Sequence, residues 1–142
     1  MNTKTQPQQD MLTAMISILG KDNVLTDDYS TSLYAQDVFT KDLPAAVVVS
    51  PGDKHELSVM LKIATEFEMD VVPRGGGMSY TKGYVPAKPQ SVMVDLGRMN
   101  RVLEINTQDM YVTVESGCTW KKLHEALKGK GVRTPYWGTL SG

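Results

Sequence analysis

The amino-acid sequence predicts an α+β fold in two parts, a small βαβ unit followed by a second, mixed α/β unit. Three observations carry this. Residues 45–50 (Ala-Ala-Val-Val-Val-Ser) and 70–73 (Asp-Val-Val-Pro) are short apolar runs separated by a helical pattern. Residues 102–105 and 111–115 are β-branched runs flanking a polar turn. Three consecutive glycines, Gly75, Gly76 and Gly77, follow the second run through Arg74.

Each element has its own justification. Residues 1–9 are polar and expected to fray, and from Asp10 the apolar residues Met11, Leu12, Met15, Ile18 and Leu19 recur at helical spacing, with Gly20 as the terminator. Thr26-Asp27-Asp28-Tyr29-Ser30 suits the start of a short helix or a turn. The strand at 45–50 is closed by Pro51-Gly52. Asp53 caps the next helix, Glu56 completes a capping-box-like pair, and Leu57, Met60, Leu61, Ala64 and Phe67 trace one face to about Glu68. The return strand at 70–73 makes a βαβ unit, expected to be parallel and right-handed.

Residues 91–96 form a third strand, and Gly97-Arg98-Met99-Asn100 a turn. The runs 102–105 and 111–115 then pair through Asn106-Thr107-Gln108-Asp109 as a hairpin. Thr119 caps a last helix with Trp120, Leu123, Ala126 and Leu127 inward, ending at Gly129, and residues 134–142 form a loop rich in small residues. The expected divisions are an N-terminal helical segment (1–42), a first unit (43–97) and the start of a second (98–142), with a seam near Gly97.

Bulk properties set the frame. The chain has 142 residues, 41% hydrophobic and 22% charged, with a formal charge of −1, an ordinary globular composition. Near-neutral charge without clustered Lys/Arg argues against nucleic acid as the main partner, and Lys128, Lys130 and Arg133 suit a helix end. Cys118 alone rules out an internal disulfide. No apolar run approaches membrane-spanning length and no signal-peptide pattern opens the chain, so a cytoplasmic location is the default expectation.

The glycine run is the most informative stretch. Glycine loses more conformational freedom than any other residue on folding. Three in a row are tolerated where the chain turns through positive φ or where a ligand approaches the backbone. Successive N–H groups in such a turn form a concave nest for an anion, typically a phosphate, and Arg74 adds a planar donor fork at its rim. The dinucleotide fingerprint is broken at Tyr80, no P-loop pattern occurs, and residues 81–89 are too rich in glycine and proline for a helix. The loop must therefore supply the donors itself. A glycine-rich hairpin loop is the alternative; the position at the carboxyl end of a strand, where ligands of open α/β sheets bind, favours the anion site.

With these elements placed, the chain from about Ser32 to Gly142 resembles the FAD-binding domain (PCMH type) of FAD-linked oxidases and dehydrogenases of the vanillyl-alcohol-oxidase superfamily. The resemblance rests on Pro73-Arg74-Gly75-Gly76-Gly77-Met78-Ser79-Tyr80, on Val114-Glu115-Ser116-Gly117-Cys118-Thr119-Trp120 and on Gly138-Thr139-Leu140-Ser141-Gly142. It implies that the first loop wraps the FAD pyrophosphate, so that Arg74, Gly75, Gly76, Gly77, Met78, Ser79 and Tyr80 line it, with Ser79 adding a hydroxyl donor. It implies a second, weaker set on the flavin side: Pro135, Gly138, Thr139, Ser141 and Gly142. Val114 and Gly117 are expected to serve backbone geometry.

Two departures from the family pattern matter. Berberine-bridge-type relatives bond the flavin through a histidine where this chain has Met78, which implies non-covalent FAD here, at least from this loop. The family's flavin domain normally continues into a substrate domain that carries the catalytic residues. The chain is thus expected to be a truncated, N-terminal portion, inactive alone, whose small-molecule substrate is a 2-hydroxy acid or another small alcohol bound mainly elsewhere. A homo-oligomer is compatible with the sequence. A non-catalytic nucleotide-binding module, or a flavin subunit of a multi-chain enzyme, is the alternative.

No residue receives a catalytic role and no metal-ligand spacing is present in the sequence. His55 and His124 are expected on the surface, Trp120 in the core, and Cys118 as a packed residue rather than a reactive thiol. Asp95 and Glu115 stand out as carboxylates that burial could push upward in pKa, without a paired acid nearby. Lys82 is open between a phosphate contact and solvent.

Overall fold

A computed structural model of the chain describes residues 6–136. In order they form α1 (Gln6–Leu19), a short 3-10 turn, β1 (Val24–Leu25), α2 (Asp28–Tyr34), β2 (Val47–Val49), α3 (Lys54–Glu66), β3 (Asp70–Arg74), β4 (Ser91–Asp95), β5 (Val102–Asn106), β6 (Tyr111–Val114) and α4 (Trp120–Lys128). The fold is mixed α and β, as the sequence predicts. One expectation is corrected at the N-terminus: Gln6 to Gln9 are helical rather than frayed, and Gln6 bonds Asp10 one turn on.

Four strands make one sheet in the order β1-β2-β4-β3, with β1 antiparallel and the rest parallel. The βαβ strands β2 and β3 are thus parallel but not neighbours, because β4 inserts between them. The chemistry of the strands explains the order. Pro73 has no N–H to give a ladder, so β3 belongs at an edge, whereas Val92-Met93-Val94 is buried on both faces and belongs in the centre.

Strand alternation divides the core. Val47, Val49, Val92 and Val94 face α1 and α3, meeting Met11, Met15, Leu19, Met60, Ile63 and Ala64. Val48 and Met93 face the other way, toward Ala35, Ala45 and Tyr84. Tyr84 comes from the long loop after β3, so the glycine loop is tied directly to the second half of the core. Asp53 caps α3 by accepting from the N–H groups of His55 and Glu56, and Glu56 reaches back to the Gly52 N–H at 2.7 Å.

β5 and β6 form a separate two-stranded antiparallel sheet, with a register shift between Val102 and Glu104. Asn106 Oδ1 shapes its turn by accepting from the N–H groups of Gln108 and Asp109. α4, capped by Thr119, packs against β5 with Leu123 and Leu127 buried. Trp120 is a correction: it is 42% exposed, because a two-stranded sheet offers the first turn of α4 too little surface to bury it.

Candidate functional site

β3 and β4 end side by side, with Arg74 in register with Asp95, and the Leu96 N–H closes the ladder on the Arg74 carbonyl at 2.9 Å. The chain then turns through the glycine run. Gly77 has φ +72°, a left-handed conformation that disfavours any side chain. A Cβ there would also collide with the Arg74 guanidinium, which lies folded beneath the turn. The Tyr84 hydroxyl donates to the Gly77 carbonyl at 2.5 Å and fixes the bend from the core side.

A second contact point comes from the turn before α4. A Cβ on Gly75 would lie 3.1 Å from the Ser116 carbonyl oxygen. A Cβ on Gly117 would overlap the Leu96 carbonyl, and the Gly117 N–H donates to Met99 at 2.9 Å. Gly117 is therefore required for close backbone approach, as the sequence suggests. Gly76 differs from all of these: beyond its chain neighbours, its Cβ would meet no atom of the described residues within 4 Å.

The backbone donors follow the same division. Among the described residues, the N–H groups of Gly75, Gly76, Gly77, Met78, Ser79 and Tyr80 donate no hydrogen bond. Those of the next residues are all used: Thr81 and Gly83 donate to Ser79 Oγ at 3.2 and 2.9 Å, and Lys82 donates to Asp37 Oδ2 at 2.8 Å. The segment before β2 holds this part of the loop, through Asp37 and through the Val38 N–H donating to the Ser79 carbonyl. Partial burial works to raise the Asp37 pKa, but bonds from the N–H groups of Lys82, Phe39 and Thr40 outweigh it and hold it below its ordinary value.

A row of amides without partners among the described residues, around a glycine with open space beside it, has the donors that an anion site needs. It suits the diphosphate of a dinucleotide, which needs several donors and a backbone that can be approached closely.

The structure brings Arg74 through Tyr80 into one bend. It turns Arg74 inward rather than to the rim, 3.8 Å from Asp95, so the expected free donor fork is corrected. Ser79 accepts two amides, Tyr80 meets Phe39 in a tilted contact with ring centroids 5.7 Å apart, and Met78 is 40% exposed. Lys82 pairs with Asp42 at 3.5 Å. Pro135 is exposed and lines a different cavity, of about 130 Å³, between the hairpin and α4. Gly138, Thr139, Ser141 and Gly142 lie outside the described residues.

Asp95 lies 3.8 Å from Arg74. Glu115 is corrected: its side chain is buried, but Arg101 bonds it at 2.6 and 3.0 Å, holding its carboxyl below the usual value rather than above it. Burial pushes the Cys118 thiol up, which suits a packed residue. Sequence reasoning missed Tyr34, Asp37 and Tyr84; they lie far from the glycines in sequence or inside an irregular stretch, with no local pattern to mark them. Among the described residues no group of His, Cys, Asp and Glu could hold a metal, and no helix is long and apolar enough to cross a membrane.

A sequence profile described as an FAD binding domain matches residues 45–142. The chain belongs to the FAD-binding domain family. Within it, the similarity extends to the FAD-linked oxidases and dehydrogenases of the vanillyl-alcohol-oxidase superfamily. The mitochondrial D-lactate dehydrogenase [cytochrome] of Arabidopsis thaliana is 34% identical over 135 residues, covering 92% of this chain and 23% of that protein. The 1'-carboxy-chondrochloren decarboxylase of Chondromyces crocatus is 30% identical over 130 residues, covering 91% and 24%.

Among solved structures, 4-ethylphenol oxidase from Gulosibacter chungangensis superposes with a TM-score of 0.80 at 28% identity, over 92% of this chain and 26% of that one. The chain thus spans about a quarter of the length of these relatives. The cofactor of the family is FAD, and the free amides, open Gly76 and tight Gly77 bend fit its diphosphate.

Proposed function

We propose that the whole protein is a flavin-dependent oxidoreductase acting on a 2-hydroxy acid or another small alcohol, and that this chain supplies much of its FAD cradle. The observation that carries this reading is the run of six amides from Gly75 to Tyr80 without partners among the described residues, beside the open face of Gly76. In the assignment, these N–H groups hold the diphosphate, the Ser79 hydroxyl adds a donor, and Pro135, Gly138, Thr139, Ser141 and Gly142 form a weaker, second set of flavin contacts. Met78 offers a thioether where a covalent linkage needs an imidazole, so this loop holds the flavin non-covalently. When bound, FAD would supply the acceptor for a hydride from the substrate carbon. The residues of this chain bind and orient it.

The hydroxy-acid assignment draws on the D-lactate dehydrogenase relative and on the glycolate oxidase subunit GlcD of Bacillus subtilis, 27% identical over 129 residues. The word "subunit" in the latter name favours a second reading, a flavin-bearing chain that works with partner chains. Substrate contacts in either case fall outside this chain. A cytoplasmic address is our expectation, set against the mitochondrial relatives.

The test uses the whole protein. Flavin absorbance that is retained through purification and released entirely by acid precipitation supports the non-covalent cradle. Anaerobic bleaching of that absorbance by D-lactate or glycolate supports the hydroxy-acid reading. A flavin that stays in the precipitate overturns the first, and a flavin that resists all small 2-hydroxy acids and alcohols overturns the second.

A further inference from the structure

We infer that Arg74 is a positioning residue for FAD, which shapes the glycine loop from beneath instead of contacting the cofactor. Its guanidinium carbon lies 4.9 Å from the Tyr34 ring centroid and 5.3 Å from that of Tyr84. Nη1 is 3.8 Å from Asp95 Oδ1, and the side chain is 24% exposed. Nη2 fills the space into which a Cβ on Gly77 would point. Nε is buried with no hydrogen-bond partner among the described residues.

These contacts have one geometric sense. A flat cation between two aromatic rings is stabilised by their quadrupoles, and a guanidinium stacks where an ammonium cannot. The same two rings belong to the elements that flank the loop: Tyr34 ends α2, and Tyr84 closes the far side and bonds the Gly77 carbonyl. Asp95, at the end of the central strand, holds the charge in place. Arg74 therefore links α2, β4 and both ends of the loop, and it props the bend at Gly77. A buried donor without a partner is unfavourable, and it persists where packing fixes a side chain from several directions. The loop is shaped before any ligand arrives, so its six free amides need not be ordered on binding.

The inference deepens the reading of the loop as the FAD site and rests on it for its ligand. Three variants of the whole protein test it: Arg74→Met, Arg74→Lys and Tyr84→Phe. Each is titrated with FAD as apoprotein. Hydrogen exchange is followed in the peptide 74–84, where the paired amides of Thr81, Lys82 and Gly83 report loop order.

Both Arg74 variants are expected to weaken FAD binding by about tenfold or more and to speed exchange in that peptide. Tyr84→Phe shifts both in the same direction by a smaller factor. Weakened FAD binding with unchanged exchange would show direct contact with the cofactor and overturn the inference. So would full rescue by lysine, because charge alone would then suffice. Faster exchange with unchanged FAD affinity would overturn it too, since loop order would not govern binding. If the wild-type protein takes up no FAD, the functional reading fails, while unchanged exchange in Arg74→Met would still remove the prop.

Discussion

Residues 75–80 and 81–85 are two halves of one loop with opposite bonding. In the first half no amide of the six has a partner among the described residues; in the second, four of five are bonded, those of Thr81, Lys82, Gly83 and Val85, and only the Tyr84 N–H has no partner there. The first half carries a glycine, Gly76, whose missing side chain leaves open space, whereas Gly83 lies with its Cβ position 3.0 Å from Ser79 Oγ. Burying polar groups without partners is costly, so a folded chain leaves donors free where solvent or a ligand satisfies them. The contrast teaches how such a loop is built: one half fixes the curve and the other leaves its donors without partners among the described residues.

Gly76→Val probes the open half most directly and carries the largest expected effect. Its φ is not in the left-handed region, and the new Cβ meets no atom of the described residues within 4 Å, so the fold should shift by about 0.5 kcal/mol or less. The isopropyl group instead occupies the space through which a diphosphate reaches the amides. Losing two charge-assisted bonds of about 1.5 kcal/mol each weakens FAD binding by roughly a hundredfold. Urea unfolding of the apoprotein beside FAD titration checks both numbers. Loss of stability together with affinity would mean that the open face of Gly76 is a structural requirement, and the division of the loop would fail.

Gly77→Ala is the matching variant one residue on, and its outcome should differ in kind. Here the φ of +72° strains any side chain and the methyl meets the Arg74 guanidinium. The expected cost is about 1–3 kcal/mol of stability, visible as a lower urea midpoint, accompanied by weaker FAD binding. Equal stability in Gly77→Ala and wild type would show that the Gly77 bend relaxes without consequence, removing the distinction between the two glycines.

Much of this contrast was legible in the sequence, and the illegible part has a physical cause. The caps at Asp53 and Thr119, the helix faces and the hairpin turn at Asn106 follow from local rules, because each depends on residues within one turn of each other. The triple glycine announced a backbone with unusual requirements. It did not say which glycine serves packing and which serves approach, since that depends on Arg74 folding back and on Ser116 arriving from another element. Strand order depends on Pro73, which keeps β3 at an edge, and on the two buried faces of β4, neither of which is part of the βαβ pattern itself. Trp120 misled because helical spacing says which residues share a face, not whether enough surface exists opposite that face.

The smallest expected effect tests the tied half through pH. Asp37 Oδ1 accepts from the N–H groups of Phe39 and Thr40 at 2.9 and 2.6 Å, and Oδ2 accepts from Lys82 at 2.8 Å. These bonds favour the ionised form and depress its folded pKa below the ordinary 3.8. A depressed carboxylate contributes stability that is fully present above its unfolded pKa and is lost as pH falls through the lower, folded one. Exchange in the 81–83 amides should therefore accelerate in wild type only below about pH 4, relative to the intrinsic rate. Asp53 and Glu115 are depressed as well, by the cap of α3 and by Arg101, so the global acid transition sums several groups. The difference between wild type and Asp37→Asn isolates this one: the variant should start with faster exchange at neutral pH and show a flatter acid response. The FAD affinity of Asp37→Asn should fall less than that of Gly76→Val, because the carboxylate holds the supporting half while the donors remain intact. If the two variants lose affinity equally, the tied half is itself part of the binding surface, and the loop has one function along its whole length.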